Sequence, residues 1–242
     1  MYILASTQFS MAKSDYKSIW LEKEDIGRIM DLERKTCIPL IQASEETILK
    51  RFDLGNLMLG IEESQNRELI GSMGMRYAKF SPEDYASFPK IFREFSTPEM
   101  PVRKDYNSIF VYSFNVSPSK RRKGEGFIIA RSLFDSLLEK ADREKCRYIV
   151  GDGRPASYNG SPEGQNIEWH KQIPEFKDSI DKYLRGGQLP TKEEILLEPT
   201  IKVYHRLIKG FNPLWIIPNF FSNDAPAGGL RIILCKDLAK GE

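Results

Sequence analysis

The chain has 242 residues, which is enough for one large domain or two small ones. Its composition, with 40% hydrophobic and 29% charged residues, excludes a largely disordered chain. The 36 lysine and arginine residues exceed the 34 aspartate and glutamate residues by only two, so the overall charge favours neither a nucleic-acid nor a membrane partner.

Cysteine and histidine usage predicts inert thiols and no metal site. Cys37, Cys146 and Cys235 are far apart and form no CxxC pair, and the two histidines, His170 and His205, do not complete a zinc set. No apolar run reaches the roughly 18 residues that span a bilayer, and the start of the chain lacks the basic region of a signal peptide. We therefore expect a cytoplasmic protein with reduced cysteines.

The first part of the sequence predicts a flexible, polar start over residues 1–16, then a strand, two helices and a two-stranded hairpin. The second helix has a favourable N-cap, because the Ser44 side chain can accept a hydrogen bond from an amide of the first turn. In chain order the predicted elements are Ser18–Leu21, Asp25–Lys35, Glu45–Phe52, Leu57–Glu62 and Leu69–Tyr77.

Residues 80–107 interrupt this succession of elements. They carry four prolines among aromatic residues, so we expect an inserted loop with a short helix near Pro82–Phe95. The run Ser108–Val116 that follows is almost entirely apolar, β-branched or aromatic. Such a run predicts a central strand that is covered on both faces.

A strand–loop–helix–strand unit is the most informative part of the pattern. Ser117–Lys120 breaks the strand, and a basic loop with two glycines, Arg121–Gly126, leads into a long helix. The helix is predicted from Phe127 to about Lys145, because its apolar residues recur every three or four positions. With the next strand, Arg147–Asp152, these elements form one βαβ unit whose strands are parallel.

Residues 153–195 are polar, lack a clear period and form a second insertion. Two interpretations stay open: a mobile lid that docks aromatic side chains such as Trp169 and Tyr183 over a substrate, or an insertion packed on the edge of the sheet. The rest of the pattern predicts a helix, Pro199–Lys209, and two strands, Leu214–Ile217 and Leu230–Leu234.

The loop Arg121–Gly126 has the properties of an anion site. A helix N-terminus presents amides without partners and a partial positive charge, and the two glycines let an anion approach the backbone closely. Three adjacent cations, Arg121, Arg122 and Lys123, add to this field, so a pyrophosphate is a natural ligand. The alternatives are a solvated basic run and a nuclear-targeting patch.

The segment Val116–Gly126 resembles the acetyl-CoA signature of the Gcn5-related N-acetyltransferases (GNAT), V-x-P-x-x-(R/Q)-x-x-G-x-(G/A). Every fixed position of that signature is present, whereas the nucleotide motifs GxxxxGK(S/T) and GxGxxG are absent. The matching residues are Val116, Pro118, Arg121, Gly124 and Gly126. The predicted order of elements is also similar to that family over about residues 17–236.

A narrower resemblance points to the bacterial acetyltransferase domains that are found fused to carbon–nitrogen hydrolases. Those domains carry GR-x-P-GY after the fifth strand, then an insertion, GF, (I/V/L)-P-N-(Y/F) and GG. In this chain the corresponding segments are Gly153-Arg154-Pro155-Ala156-Ser157-Tyr158, Gly210-Phe211, Ile217-Pro218-Asn219-Phe220 and Gly228-Gly229. The proline of the first segment is displaced by one position.

The resemblance implies a mixed α/β fold over residues 17–242, with a mostly antiparallel twisted sheet, flanking helices and one parallel βαβ unit that splays apart at the cofactor site. It implies transfer of an acetyl group from acetyl-CoA to a primary amine of a small molecule or peptide by direct attack, without a metal, in a monomer or homodimer. The implied cofactor-binding residues are Phe114, Asn115, Val116, Arg121, Arg122, Lys123, Gly124, Glu125, Gly126 and Phe127.

In such enzymes the proton donor is commonly a tyrosine four residues before the GF glycine, a position held here by Arg206. The nearby Tyr204 lies about 200° away on the helix, so it is either the donor or a packed core residue, with His205 as another candidate. Asp152 ends the fifth strand and is either a functional carboxylate, as a base or an amine anchor, or a turn aspartate. A noncatalytic acyl-CoA-binding module is the alternative to an enzyme.

Overall fold

A computed structural model describes residues 15–37, 42–85, 104–159, 171–220 and 227–240. Seven strands in these ranges form one sheet, in the order β1-β2-β3-β4-β5-β7-β6. The strands are β1 (Tyr16–Trp20), β2 (Leu57–Glu63), β3 (Leu69–Ala78), β4 (Ser108–Val116), β5 (Tyr148–Gly153), β6 (Asn212–Ile217) and β7 (Arg231–Asp237). Strands β4 and β5 are parallel, and every other neighbouring pair is antiparallel.

The helices lie on both faces of the sheet. They are α1 (Ile26–Thr36), α2 (Glu45–Asp53), α3 (Pro118–Arg122), α4 (Gly126–Arg143), α5 (Pro174–Leu184), α6 (Lys192–Ile195) and α7 (Pro199–Leu207), and a short 3₁₀ turn, Lys23–Asp25, precedes α1. The predicted cap of α2 forms, because the Thr47 amide donates to the Ser44 hydroxyl at 3.1 Å. None of these helices is long and apolar enough to cross a membrane.

Alternation along β2 shows how the two layers are built. Leu59 and Ile61 pack with α4, whereas Met58, the residue before Leu59, packs with α1 and α2 on the other face. The α4 face is completed by Ile129 and Leu133, which are fully buried. Burial of each such side chain stabilises the fold by roughly 1.5–3 kcal/mol relative to exposure.

The predicted βαβ unit and the mixed α/β architecture are confirmed, with one local correction. The segment predicted as a simple break after β4 contains a short helix, α3, which begins at Pro118. Proline suits this first position, because its ring presets the helical φ and no amide is lost from the helix. The predicted helix near Pro82–Phe95 lies mostly outside the described residues, since 86–103 are not described.

The mobile-lid interpretation is wrong for the part of 153–195 that the structure describes. Helix α5 buries Phe176 and Ile180 completely, and Ile195 of α6 joins the same core. This part of the insertion is therefore packed against the sheet rather than laid over a substrate. Trp169, one of the proposed lid anchors, lies outside the described residues.

Candidate active site

The two parallel strands separate halfway along their length. Ser108–Val111 of β4 pairs with Tyr148–Gly151 of β5, and no pairing continues beyond these residues. Strand β4 itself stays paired with β3 as far as Val116. Among the described residues no strand therefore pairs with this part of the β5-facing edge of β4, and a cavity of about 520 Å³ lies at this place. An extended ligand can pair with such an edge as an added strand.

One side of the cavity, which we call the aromatic wall, consists of Phe114, Phe134, Tyr204 and Phe211. The Phe114 ring lies 5.3 Å from that of Phe134 and 5.7 Å from that of Tyr204, measured between centroids. Burial raises the pKa of Tyr204 above its ordinary value, and the nearby carboxylate of Asp152 adds to the shift. The Tyr204 hydroxyl therefore keeps its proton at neutral pH.

Helix α7 holds Tyr204 against this wall through a close approach to β5. A Cβ on Gly153 would lie 2.0 Å from Cδ1 of Ile201, so any larger residue here would force the buried Ile201 side chain to shift. The helix begins at Glu198, whose buried side chain accepts a hydrogen bond from the Ile201 amide at 3.0 Å. Glu198 also accepts from the Ser157 hydroxyl at 3.4 Å, which ties α7 to the loop after β5.

The charged residues of the cavity lining, which we call the charged wall, are Glu33, Arg51, Asp152, Arg154 and Arg231. Asp152 and Arg231 form an ion pair, with 3.2 Å between Oδ2 and Nε. Burial nevertheless raises the pKa of Asp152 to about 6, because desolvation of the carboxylate outweighs the attraction of Arg231. A carboxylate with this pKa can accept a proton near neutral pH.

Asn115 connects α1 to β4 through its side chain. Its Nδ2 donates to Oε2 of Glu33 at 2.9 Å, and the thiol of Cys37 donates to its Oδ1 at 3.5 Å. The other Glu33 oxygen accepts from the Ala43 amide at 3.1 Å. Burial raises the pKa of the Cys37 thiol to about 12, so this cysteine stays a neutral thiol rather than a nucleophile.

The loop after β4 was predicted as an anion site, and its backbone has only some of the amides that such a site needs. Gly124 has φ +77°, a conformation that favours glycine, and open space lies where its Cβ would be. The amides of Lys123, Gly124 and Glu125 donate to carbonyls of the preceding turn and are not available to a ligand. Among the described residues, no acceptor contacts the amides of Gly126 and Phe127. Of the amides from Lys123 to Phe127, those of Gly126 and Phe127 are therefore the two that a ligand could use.

A buried cluster supports this loop from below. Lys120 is only 8% exposed and forms ion pairs with Glu63 and, at 3.1 Å, with Glu125. The Tyr16 hydroxyl donates to the same Glu125 carboxylate at 2.6 Å. The Glu125 carboxylate thus has its partners, Lys120 and Tyr16, on the protein side of the loop. The exposed side of the loop presents only the cations of Arg121, Arg122 and Lys123.

The predicted site residues fall into two groups, except Val116, which is buried in the core at the end of β4. Phe114, Asn115, Asp152 and Tyr204 line the cavity, and residues 121–127 form the loop that follows the end of β4. His205 does not line the cavity, and its Nδ1 lies 3.0 Å from the Phe211 carbonyl oxygen.

The cavity also contains residues that sequence reasoning missed, namely Glu33, Arg51, Tyr112, Arg154 and Arg231. Of these, only Arg154 lay in a quoted motif. No group of three or more His, Cys, Asp or Glu side chains in the described ranges could hold a metal ion.

No protein-family model matches the chain, and no curated protein is detectably similar to it in sequence. Solved structures are similar in fold. The GphF GNAT-like decarboxylase in complex with isobutyryl-CoA is 16% identical, with a TM-score of 0.59 over 92% of this chain and 99% of that one. The loading GNATL domain of CurA from Lyngbya majuscula is 13% identical, with a TM-score of 0.58 over 93% and 99%.

The ribosomal-protein-S18-alanine N-acetyltransferase from Escherichia coli is also similar, with 14% identity and a TM-score of 0.51 over 94% of this chain and 96% of that one. At such identities the likeness establishes the fold alone. The chain therefore has the GNAT fold, which confirms the fold class predicted from Val116–Gly126 and the order of elements.

Proposed function

We propose that the protein is an acyl-CoA-dependent N-acyltransferase that moves an acetyl group from acetyl-CoA to a primary amine. The observation that carries this proposal is the separation of β4 from β5 beyond Val111 and Gly151, with Tyr204 and Asp152 facing the resulting cavity. The anion-binding loop follows the end of the same strand β4, so one extended ligand could reach both places.

The residues at the end of β4 fit CoA. The pyrophosphate would bind the amides of Gly126 and Phe127, at the N-terminus of the 18-residue helix α4. Arg121 and Arg122 add exposed guanidinium groups that can bind phosphate oxygens in pairs. The free edge of β4 over Phe114–Val116 would pair with the amides of the pantetheine arm.

The two walls supply the two proton transfers that acyl transfer needs. The amine nitrogen forms a bond to the thioester carbon while the carbon–sulfur bond breaks, and the amine loses one proton. Asp152, with a pKa of about 6, accepts that proton. Tyr204, whose pKa burial has raised, donates a proton to the departing thiolate. Neither residue forms a covalent intermediate.

A second candidate is decarboxylation of an acyl-CoA that carries a carboxylate on its acyl chain. Three arginines, Arg51, Arg154 and Arg231, line the cavity, and one similar structure is a GNAT-like decarboxylase. In that reaction a carbon–carbon bond breaks, carbon dioxide leaves, the resulting enolate takes up one proton and the thioester remains intact. Release of free thiol therefore separates the two candidates.

The test is a thiol-release assay with acetyl-CoA and a panel of primary amines, run beside an assay for carbon dioxide release from malonyl-CoA. We expect amine-dependent thiol release and no carbon dioxide. Calorimetric titration of CoA measures binding independently of turnover. Binding without thiol release from any amine would favour a noncatalytic acyl-CoA-binding module, and carbon dioxide release would favour the decarboxylase.

A further inference from the structure

Helix α2 presents a polar stripe to the cavity. Ser44, Thr47 and Arg51 all line it, and their spacing of three and four residues places them on one face of the helix. The guanidinium of Arg51 stacks over the Tyr112 ring, 4.8 Å from its centroid. Such stacking fixes the guanidinium in place and leaves its edge open to a ligand.

Arg51 differs from Asp152, Arg231 and Glu33 in its partners. Asp152 and Arg231 neutralise each other, and Glu33 accepts hydrogen bonds from neutral donors at both oxygens. Within the described part of the chain, no carboxylate lies within ion-pair distance of Arg51. The five charged residues of the wall leave one positive charge in excess.

We propose that Arg51, with the Thr47 hydroxyl beside it, binds a carboxylate of the acceptor, so that the substrate is an amino acid or a related amino carboxylic acid. This inference rests on the proposed transferase function. The carboxylate would bind at Arg51 while the amine of the same molecule meets Asp152. Arg51 contacts β4 at Tyr112, whereas Glu33 contacts the same strand at Asn115, three residues later. The negative charge of Glu33 would repel a carboxylate there. The charges of the wall therefore set the orientation of the acceptor.

Matched pairs of acceptors test this proposal with acetyl-CoA as donor. Glycine, β-alanine, 4-aminobutanoate and 5-aminopentanoate are each compared with their own carboxamide, which keeps the amine and loses the charge. We expect kcat/KM of at least one acid to exceed that of its amide by about tenfold or more, the effect of a charge-assisted hydrogen bond. Equal values within every pair would overturn the proposal.

Single-residue variants test whether Arg51 is responsible for the preference for the acid over its carboxamide. Arg51→Gln should raise KM for the preferred acid by about 10- to 100-fold, leave its kcat nearly unchanged and leave the amide unaffected. Arg143→Gln, which changes an exposed arginine of α4, is the matched control and should preserve the preference. Tyr112→Leu removes the stacking ring and should raise the same KM, whereas Tyr112→Phe keeps the ring and should not. A preference that survives Arg51→Gln contradicts the assignment.

Two further readouts separate this inference from the proposed function. If no amine releases thiol, the transferase proposal fails, but calorimetric titration of 5-aminopentanoate into CoA-saturated protein still tests the carboxylate site. A heat of binding that disappears in Arg51→Gln and persists in Arg143→Gln would support the carboxylate site. The absence of any heat of binding in the unaltered protein would contradict it. If Arg51→Gln impairs only carbon dioxide release from malonyl-CoA, the carboxylate belongs to the acyl chain and the acceptor assignment is wrong.

Discussion

The aromatic wall and the charged wall of the cavity differ in what holds their side chains. The rings of Phe114, Phe134 and Tyr204 contact one another and continue into the buried core under α4. Charged-wall residues are instead held by separate polar contacts, such as Asp152 to Arg231 and Glu33 to Asn115. An apolar wall backed by the core offers the same surface to any thioester, whereas individually placed charges discriminate between acceptors. We therefore expect the charged wall to select the acceptor, while turnover depends on one residue of each wall, Tyr204 and Asp152.

Loss of the Tyr204 hydroxyl should give the largest effect. Tyr204→Phe keeps the ring in the aromatic wall and removes the proton donor, so kcat should fall by about 10²–10⁴, the usual range for a general acid. Stopped-flow or steady-state thiol release measures this change, and acetyl-CoA affinity should stay the same. Tyr106→Phe is the control, because its hydroxyl bonds Glu144 outside the cavity. Near-normal turnover in Tyr204→Phe would show that the tyrosine only packs.

The loop after β4 should control affinity rather than turnover. Replacing Arg121 and Arg122 together by alanine removes two exposed phosphate-binding cations and should weaken acetyl-CoA binding about 10²-fold by calorimetry. Lys120→Ala should behave differently, because that buried lysine forms ion pairs with both Glu63 and Glu125. Its main effect should be a lower melting temperature rather than a weaker affinity for acetyl-CoA. Unchanged affinity in the double variant, with the fold intact, would contradict the pyrophosphate site.

Asp152 of the charged wall should determine how kcat/KM depends on pH. The pKa of Asp152 is raised to about 6, and a base acts only when ionised, so kcat/KM should rise with pH and level off above about pH 7. Between pH 5 and pH 7 the expected gain is about tenfold, because a group of that pKa is mostly protonated at the lower value. Asp152→Asn should be slower and should lose this inflection. A midpoint near 6 that persists in Asp152→Asn would assign the titration to another group.

The sequence predicted the aromatic side of the site far better than the charged side. The apolar run Ser108–Val116 and the period of α4 carry their own structural signal, and Val116–Gly126 carries a recognisable motif. Arg51 has neither a periodic pattern nor a motif that marks it as a site residue, because an arginine on a short amphipathic helix is normally solvated. Only the packing of α2 beside β4 brings it to the cavity.

Two further outcomes have local explanations. Tyr204 and Arg206 were predicted to lie on different faces of one helix, and Tyr204 lines the cavity while Arg206 is exposed. The packed helix α5 was missed inside a polar segment. Phe176, Ile180 and Tyr183 follow helical spacing there, and this signal would have found it.

The junction of the two walls can be broken at Gly153. Gly153→Ala places a Cβ on Cδ1 of Ile201 and should destabilise the protein by about 1–3 kcal/mol, the usual cost of overpacking. It should also lower kcat, because α7 carries Tyr204. Ile201→Val removes the clashing methyl, so the double variant should regain part of both losses in a mutant cycle. Strictly additive losses in chemical unfolding and turnover would show that the contact does not position the helix.

The smallest expected effect distinguishes the ring of Tyr112 from its hydroxyl. That hydroxyl is buried and has no hydrogen-bond partner among the described residues, while burial raises its pKa to about 12. A buried polar group without a partner costs about 1–3 kcal/mol, so Tyr112→Phe should stabilise the protein, by about 1 kcal/mol after allowing for lost packing. Urea unfolding measures the change. Because the ring remains under Arg51, the discrimination between amino acids and their amides should persist. A destabilised variant would show that the hydroxyl has a partner in solution, and lost discrimination would move carboxylate recognition from the guanidinium to the phenol.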